Sequence, residues 1–499
     1  MSGKEMLVDG DILDGNNTFF AGQFHDPVNQ QERITVRQDL ENFENVETGG
    51  RRLSLGRDLS LFGHSLTSRS LFNEPASKME IILYRAARRM FAAKYHSTEK
   101  MKKKRLPSKP SAKSAPTDPK EYLRHFDQLK DDIVETTQRL VEIESPSDVK
   151  QAVDRVGTVI AGRFDAIGGK VTFHSAEKFG NHLQIDFKGS SQNKPLLLLG
   201  HMDTVCPIGT LSKMPSRVGD GRVYGPGVLD MKSGIALMLH AIEALRSWNR
   251  NRLPHPVRVL LVSDEEVGSE SSRRITESLA RDSSAVLVLE PAHGLNGAVK
   301  TSRKGVGEYT VKITGSAAHS GLDFERGQSA IIELAIQIIA ISGMVDLKRG
   351  ITLNVGTVRG GSRANVIPAE AIGTVDVRVP RMKDAQAIDR KLRGLKSFNR
   401  KCKIEVTGGI NRPPMERTGG VAVLYDVAFE LAQQLGWKLE EASVGGGSDG
   451  NFTAAMGIPT LDGLGSVGEG AHASHESILI SELPRRAALL ARLIETVSA

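Results

Sequence analysis

The chain has 499 residues, 39% of them hydrophobic and 25% charged, with a formal net charge of +7. That length exceeds a single hydrophobic core, so two or more globular units are expected. Two cysteines, Cys206 and Cys402, no apolar run of about 20 residues and an amino terminus without a secretory pattern argue against a disulfide scaffold, a membrane span and export; the expectation is a cytoplasmic protein.

The charge is unevenly spread. Residues 85–113 hold eleven Lys or Arg against one acid, a local excess of +10 that leaves −3 for the remainder. The globular part is therefore not basic, and no nucleic-acid partner is expected for it. Residues 1–118 show one short basic amphipathic stretch, M-E-I-I-L-Y-R-A-A-R-R-M-F-A-A-K-Y, followed by a Lys-, Pro- and Ser-rich run that cannot bury a core. They read as a disordered or dispensable leader, with an anchor for a membrane surface or an acidic partner as the alternative.

From Pro119 the texture changes. Tyr122, Phe126, Leu129, Ile133, Thr137, Leu140 and Val141 share one helical face, and Pro119 suits a first turn. The runs K-V-T-F, H-L-Q-I-D-F, P-L-L-L-L-G, V-R-V-L-L-V and A-V-L-V-L-E then read as strands, several apolar throughout and so covered on both faces. Helical stretches such as S-G-I-A-L-M-L-H-A-I-E-A-L lie between them, and 50 glycines fit the many tight turns of an α/β layered sheet. Residues 304–412 read as β-α-β-β-α-β, a split βαβ unit inserted into the first. The α/β texture resumes at 413 and closes on the helix L-P-R-R-A-A-L-L-A-R-L-I-E-T-V. The expected units are thus 119–303, 304–412 and 413–499, the first and last forming one interrupted domain.

Three strand runs end in metal-ligand types: L-L-L-L-G-H-M-D-T-V, V-L-L-V-S-D-E-E-V-G and V-L-V-L-E-P-A. The carboxyl ends of strands in an open α/β sheet meet along one edge, so His201, Asp203, Glu265, Glu266 and Glu290 should converge. Asp230 lies on the Gly-rich turn Y-G-P-G-V-L-D-M-K-S-G, and G-E-G-A-H-A-S-H-E-S offers His472 and His475. Each alone is weak, since a lone His is more often a hydrogen-bonded core residue and an acid after a strand a helix cap. Several carboxylates in one dry place, however, require positive charge, and divalent cations supply it. Mixed nitrogen and oxygen donors favour zinc, or cobalt or manganese, over calcium.

In order and spacing, G-H-M-D-T-V, G-P-G-V-L-D-M-K-S-G, S-D-E-E-V-G-S, V-L-E-P-A, A-A-H-S-G, G-G-G-S-D and the late G-A-H resemble the dinuclear-zinc exopeptidases and deacylases. That family includes glutamate carboxypeptidase, acetylornithine deacetylase, succinyl-diaminopimelate desuccinylase and aminoacylase. The resemblance covers about 119–499. It implies a mixed sheet sandwiched by helices with an inserted ferredoxin-like βαββαβ dimerisation, or lid, domain, and hence a homodimer. It further implies two zinc ions per chain: His201 and Glu290 on one, Glu266 and His472 on the other, Asp230 bridging.

Asp203 would orient the His201 ring, and Glu265 would be the general base toward a metal-activated water. His319, in the inserted unit, would reach the partner subunit's site and stabilise the oxyanion. Asn365 and Arg378 match the substrate-carboxylate region, and Gly446, with Gly445 and Gly447, would let backbone approach the substrate. Relatives also imply a cis peptide between Asp230 and Met231. Ser233 departs from the pattern, standing where many members have Gly, and His475 competes with His472 as ligand. Cys206 lies near His201 but is read as a free core thiol.

The leading reading is a glutamate carboxypeptidase-like metallopeptidase cleaving an amide bond of a peptide or N-acyl amino acid. The alternatives are a deacylase or desuccinylase of a biosynthetic intermediate, a catalytically silent zinc-binding interaction protein, and a leader acting as a polyanion or membrane adaptor.

Overall fold

Largely apolar parallel strands belong in the middle of a layered structure, and this chain is built around four parallel strands. A computed structural model of the protein describes residue 116 and residues 118–497. The leader, apart from its last residues, lies outside the described residues, as does the basic helix expected there. Helices α1 (Pro119–Gln128), α2 (Lys130–Val141) and α3 (Lys150–Ala166) lead into β1 (Lys170–His174) and β2 (His182–Phe187). The single face expected over 119–141 is split at Leu129, but Tyr122, Phe126, Ile133, Thr137, Leu140 and Val141 are all buried. Asp118 caps α1 by accepting the Lys120 N–H at 2.9 Å.

The central sheet adds β3 (Leu196–His201), β6 (Val257–Val262), β7 (Val286–Val288) and β14 (Thr460–Leu461), in the order β1-β2-β6-β3-β7-β14. The strands from β6 to β14 are parallel, and β1 and β2 run antiparallel at one edge. Leu196 to Leu199 are fully buried. One face of the sheet packs on α6 (Arg273–Arg281) through Ile275, Leu279 and Ala280. The other face meets α5 (Ser233–Trp248), where Gly200 and Gly234 leave no room for a Cβ against Met231 and the Leu289 carbonyl. After a one-turn helix α4 (Thr210–Lys213), short strands β4 (Arg217–Gly219) and β5 (Arg222–Tyr224) join β15 (Gly468–Glu469) and β16 (Ser477–Leu479) in a further small sheet in the order β15-β16-β5-β4. Sequence patterning missed these, because two- and three-residue strands carry too little periodicity.

β8 (Val299–Arg303) pairs in parallel with β13 (Glu441–Val444). A separate antiparallel sheet follows, from β9 (Gly305–Thr314), β10 (Thr352–Gly360), β11 (Glu370–Val379) and β12 (Lys403–Arg412), in the order β10-β11-β9-β12. With α7 (Ala330–Ser342) and α8 (Met382–Arg393) this is the ferredoxin-like βαββαβ order. Alternation along β11 buries Ala371, Val375, Val377 and Val379 against that unit's core and turns Glu370, Thr374, Asp376 and Arg378 to the other face. The chain closes through α9 (Gly419–Leu435), α10 (Gly450–Ala455) and α11 (Leu483–Thr496), which packs on α5. No helix among the described residues is long and apolar enough to cross a membrane.

α2 and α5 are joined by a buried polar contact, His240 Nε2 to Thr136 Oγ1 at 3.0 Å. Burial lowers the His240 pKa to about 4, so the folded state holds a neutral ring that the unfolded chain, near 6.5, would protonate. The unfolded chain binds more protons between those values; the contribution is therefore intact above about pH 6.5 and lost as pH falls toward about 4, up to about 3 kcal/mol. His240→Gln should flatten the fall of Tm between pH 6.5 and 4.5, as read by thermal unfolding in a pH series; an unchanged slope would show that other groups govern it.

Candidate metal centre

Register brings the ligand types together. His201, the last residue of β3, is the cross-strand partner of Val262 on β6, and Leu199 is that of Val288 on β7. The residues just past each strand, 264–266 and 290, therefore lie at one edge beside His201. Asp230 arrives on the turn before α5, where the Asp230–Met231 peptide is cis as the resemblance implied. His472 arrives after β15.

Asp230 sits between the two imidazoles. Its Oδ1 is 3.1 Å from His201 Nε2 and its Oδ2 3.4 Å from His472 Nε2. Glu290 Oε1 lies 3.5 Å from His201 Nε2 and Glu266 Oε1 3.2 Å from His472 Nε2. His475 makes no such contact among the described residues; His472 is the histidine in the cluster. Cys206 also stands outside it, its thiol pushed up by burial.

Residues of this chemistry fit a pair of divalent cations. His201, Asp230 and Glu266 offer ligand atoms within 4.8 Å of one another, as do His201, Glu265 and Glu290. Glu266 Oε1 is buried and makes no well-directed hydrogen bond, its polar neighbour being the His472 ring at 3.2 Å. The proton affinities show the same strain. Burial raises the Glu290 carboxyl to about 7, with Asp230 adding to the rise and Arg303 opposing it. Burial alone would raise Asp230, but the flanking His201 and His472 rings hold it below the usual carboxylate range. Asp230 and Glu266 push His472 up to about 10. Such groups share protons when alone and exchange them for metal.

The three consecutive acids have three separate partners. Asp264 Oδ2 accepts the Ser271 and Ser272 N–H groups at 2.7 and 3.3 Å and the Ser271 hydroxyl at 2.7 Å, pinning the loop. Glu266 faces His472. Glu265 Oε1 receives Arg412 Nη2 at 2.8 Å, and the same nitrogen reaches the Glu265 carbonyl at 2.7 Å. Burial nonetheless holds Glu265 well above its ordinary pKa, Arg412 opposing and Glu290 reinforcing the rise. Asp203 does more than orient one ring. Its backbone carbonyl lies 2.9 Å from His201 Nδ1, nearer than its carboxylate at 3.5 Å. The carboxylate instead accepts Ser147 Oγ at 2.7 Å and the Glu265 and Glu266 N–H groups at 3.3 and 3.2 Å.

The residues assigned to substrate lie elsewhere in the chain. His319 and Asn365 are both exposed and adjacent, Ser320 N donating to the Asn365 carbonyl at 3.1 Å. Arg378 is half-buried and paired with Asp376 at 3.0 Å. None of the three bonds to the cluster among the described residues. Arg378 does share a cross-strand row with Val306 and Arg412. At Gly446 a Cβ would meet nothing within 4 Å, whereas at Gly447 it would lie 2.9 Å from Arg412 Cδ, so Gly447 is the glycine the protein's own packing requires.

Two arginines escaped sequence reading. Arg412 also holds Asp449 Oδ1 at 2.8 Å, and Arg303 grips both Asp462 oxygens at 2.8 and 2.9 Å, Glu290 Oε2 at 3.4 Å and the Gly446 and Gly447 carbonyls at 3.3 and 3.1 Å. Their signal in the sequence was only the electrostatic need of buried carboxylates such as Glu265 and Glu290 for countercharge.

A model of peptidase family M20/M25/M40 matches residues 197–496. Carboxypeptidase G2 of Pseudomonas sp. (strain RS-16) is 31% identical over 375 residues, 74% of this chain and 89% of that protein. The structure resembles that of a Staphylococcus aureus tripeptidase with TM-score 0.62 and 25% identity, over 73% of this chain and 98% of the other. A dinuclear metal binding peptidase of the M20 family from Bacillus subtilis shares the fold at TM-score 0.57 and 16% identity, over 74% and 98%.

Arg412→Met would leave the Glu265 and Asp449 carboxylates buried without their cation. It should cost about 3–5 kcal/mol of stability. Thermal unfolding checks this, and a Tm within one degree of wild type would remove Arg412 from the account of the site.

Proposed function

The chain belongs to peptidase family M20/M25/M40, and on that premise we propose that it is a two-zinc exopeptidase of carboxypeptidase type, cleaving the amide bond of a peptide or N-acyl amino acid. The observation that carries the reading is Asp230, with one carboxylate oxygen toward each imidazole and a second acid beside each ring. His201 and Glu290 would hold one zinc, Glu266 and His472 the other, and Asp230 both. Bound there, the ions supply Lewis acidity that eases water ionisation and polarises the scissile carbonyl.

The chain's own residues do the rest. The Asp203 carbonyl accepts the Nδ1 proton of the neutral His201 ring, leaving the Nε2 lone pair directed into the site. Glu265, free of ligand duty and held by Arg412, takes the proton of the attacking water and delivers it to the leaving nitrogen. Its raised proton affinity suits a group that must carry that proton between the two events. His319 Nδ1 accepts the Gly321 and Leu322 N–H groups at 3.1 and 3.2 Å, so its proton sits on Nε2, where it can donate to an oxyanion.

The exposed place of His319 is explained if it serves a partner's site. Support for a homodimer comes from the outer face of α7 and the edge strand β10, where Ile332 is 62%, Ile339 74% and Val358 54% exposed. Arg378 and Asn365 would then grip the substrate's terminal carboxylate, the planar guanidinium matching it bidentately.

Screening the zinc-loaded protein against dipeptides and N-acyl amino acids tests the activity. Release of a carboxy-terminal amino acid is expected, and preference for small N-acyl groups would move the reading to a deacylase. Glu265→Gln should nearly abolish turnover yet keep about two metals per chain, whereas Glu266→Gln should empty one site; equal metal loss in both would make Glu265 a ligand. Mixing Glu265→Gln with His319→Ala chains and allowing exchange should restore about a quarter of wild-type activity, since about half the dimers then hold one complete site. No recovery despite demonstrated exchange would confine His319 to its own chain.

A further inference from the structure

Glu476 lies four residues after His472, is 1% exposed and was assigned no role by motif. Its carboxylate accepts three backbone N–H groups: Oε2 that of Gly227 at 2.8 Å, Oε1 those of Leu229 at 2.8 Å and Asp230 at 3.0 Å. Directly after it, β16 pairs with β5 through Ser477 and Tyr224, so the same short segment grips the 224–230 turn through both backbone and side chain. The turn cannot hold itself. Gly227 has φ +69°, and a Cβ there would lie 2.5 Å from Thr204 Cγ2, while Asp230 is non-helical at φ −115° and ψ 92°. Its N–H groups therefore need an acceptor from elsewhere, and one carboxylate serves all three.

We propose that Glu476 is a positioning residue for the metal pair, clamping residues 227–230 so that both Asp230 oxygens face the two imidazoles at once. The proposal rests on the reading of Asp230 as the shared ligand. Glutamine in its place offers only one acceptor oxygen and turns an NH2 group toward a backbone N–H, so one oxygen's bonds are lost at nearly constant shape.

The fold contains its own control. Glu333, also 1% exposed, accepts the Phe398 and Asn399 N–H groups at 2.9 and 2.8 Å, but in the separate antiparallel unit. Zinc affinities of the full chain, wild type, Glu476→Gln and Glu333→Gln, are measured by competition with a chromophoric chelator, alongside circular dichroism and Tm of the zinc-free proteins. Glu476→Gln should weaken zinc at both sites by about 10- to 100-fold. Glu333→Gln should lower Tm yet leave zinc affinity within about twofold of wild type.

Wild-type affinity in Glu476→Gln, or an equal loss in Glu333→Gln, overturns the proposal. Wild type taking up fewer than two zinc ions overturns the two-zinc reading itself, which keeps the two failures distinct. Amide exchange in zinc-free wild type needs no variant: Gly227, Leu229 and Asp230 should already be protected, and exchange at unprotected rates would show that Glu476 does not hold the turn.

Discussion

Mutual repulsion among the carboxylates at the strand ends is the constraint on which the rest of this structure depends. Asp230, Glu265, Glu266 and Glu290 approach one another around two imidazoles in a place largely closed to water. Anions cannot crowd so without cations, because burial removes the solvation that would screen them. The protein meets part of the demand itself, through Arg412 on Glu265 and Arg303 on Glu290. What remains is the Asp230 and Glu266 end, where the counterpart within the chain is an imidazole. An arginine keeps its charge at any ordinary pH, so Glu265 and Glu290 have a permanent cation beside them, whereas the imidazoles facing Asp230 and Glu266 carry charge only when protonated.

The two arginines also explain how a rigid site is tied to a second unit. Arg303 ends β8, two residues before the antiparallel sheet begins, and Arg412 ends the last strand of that sheet. Both chain crossings between the units thus carry a buried guanidinium that reaches the cluster or its ligands. Gly447 is glycine so that Arg412 can lie against its backbone, and Arg303 spends its remaining donors on the Gly446 and Gly447 carbonyls. The glycine-rich loop and Glu290 are thus tied together through Arg303, while Arg412 packs on the same loop and holds Glu265, although these residues are far apart in the chain.

Much of this was legible in sequence. The parallel strands 196–201 and 257–262 were readable because strands covered on both faces are largely apolar, and the antiparallel strand 182–187 from its leucine, isoleucine and phenylalanine run. The antiparallel unit was readable from its order of strands and helices, and the convergence of His201, Glu265, Glu266 and Glu290 from the rule that parallel strands share a carboxyl edge. The short strands of the small sheet, such as Gly468–Glu469, were not readable, since their pairing is imposed by neighbours rather than by their own pattern, whereas the equally short Val286–Val288 showed through its apolar run.

The sequence by itself determined which residue types end the strands and in what order, because hydrophobic periodicity and turn chemistry are local properties of the chain. Only the tertiary structure decided what each acid of S-D-E-E-V-G does. Asp264 is pinned by backbone N–H groups, Glu265 paired with an arginine 147 residues away, and Glu266 set against the His472 ring. Charge partnership over such separations is set by packing, and it is the partner, not the residue type, that fixes where a buried carboxylate holds its proton.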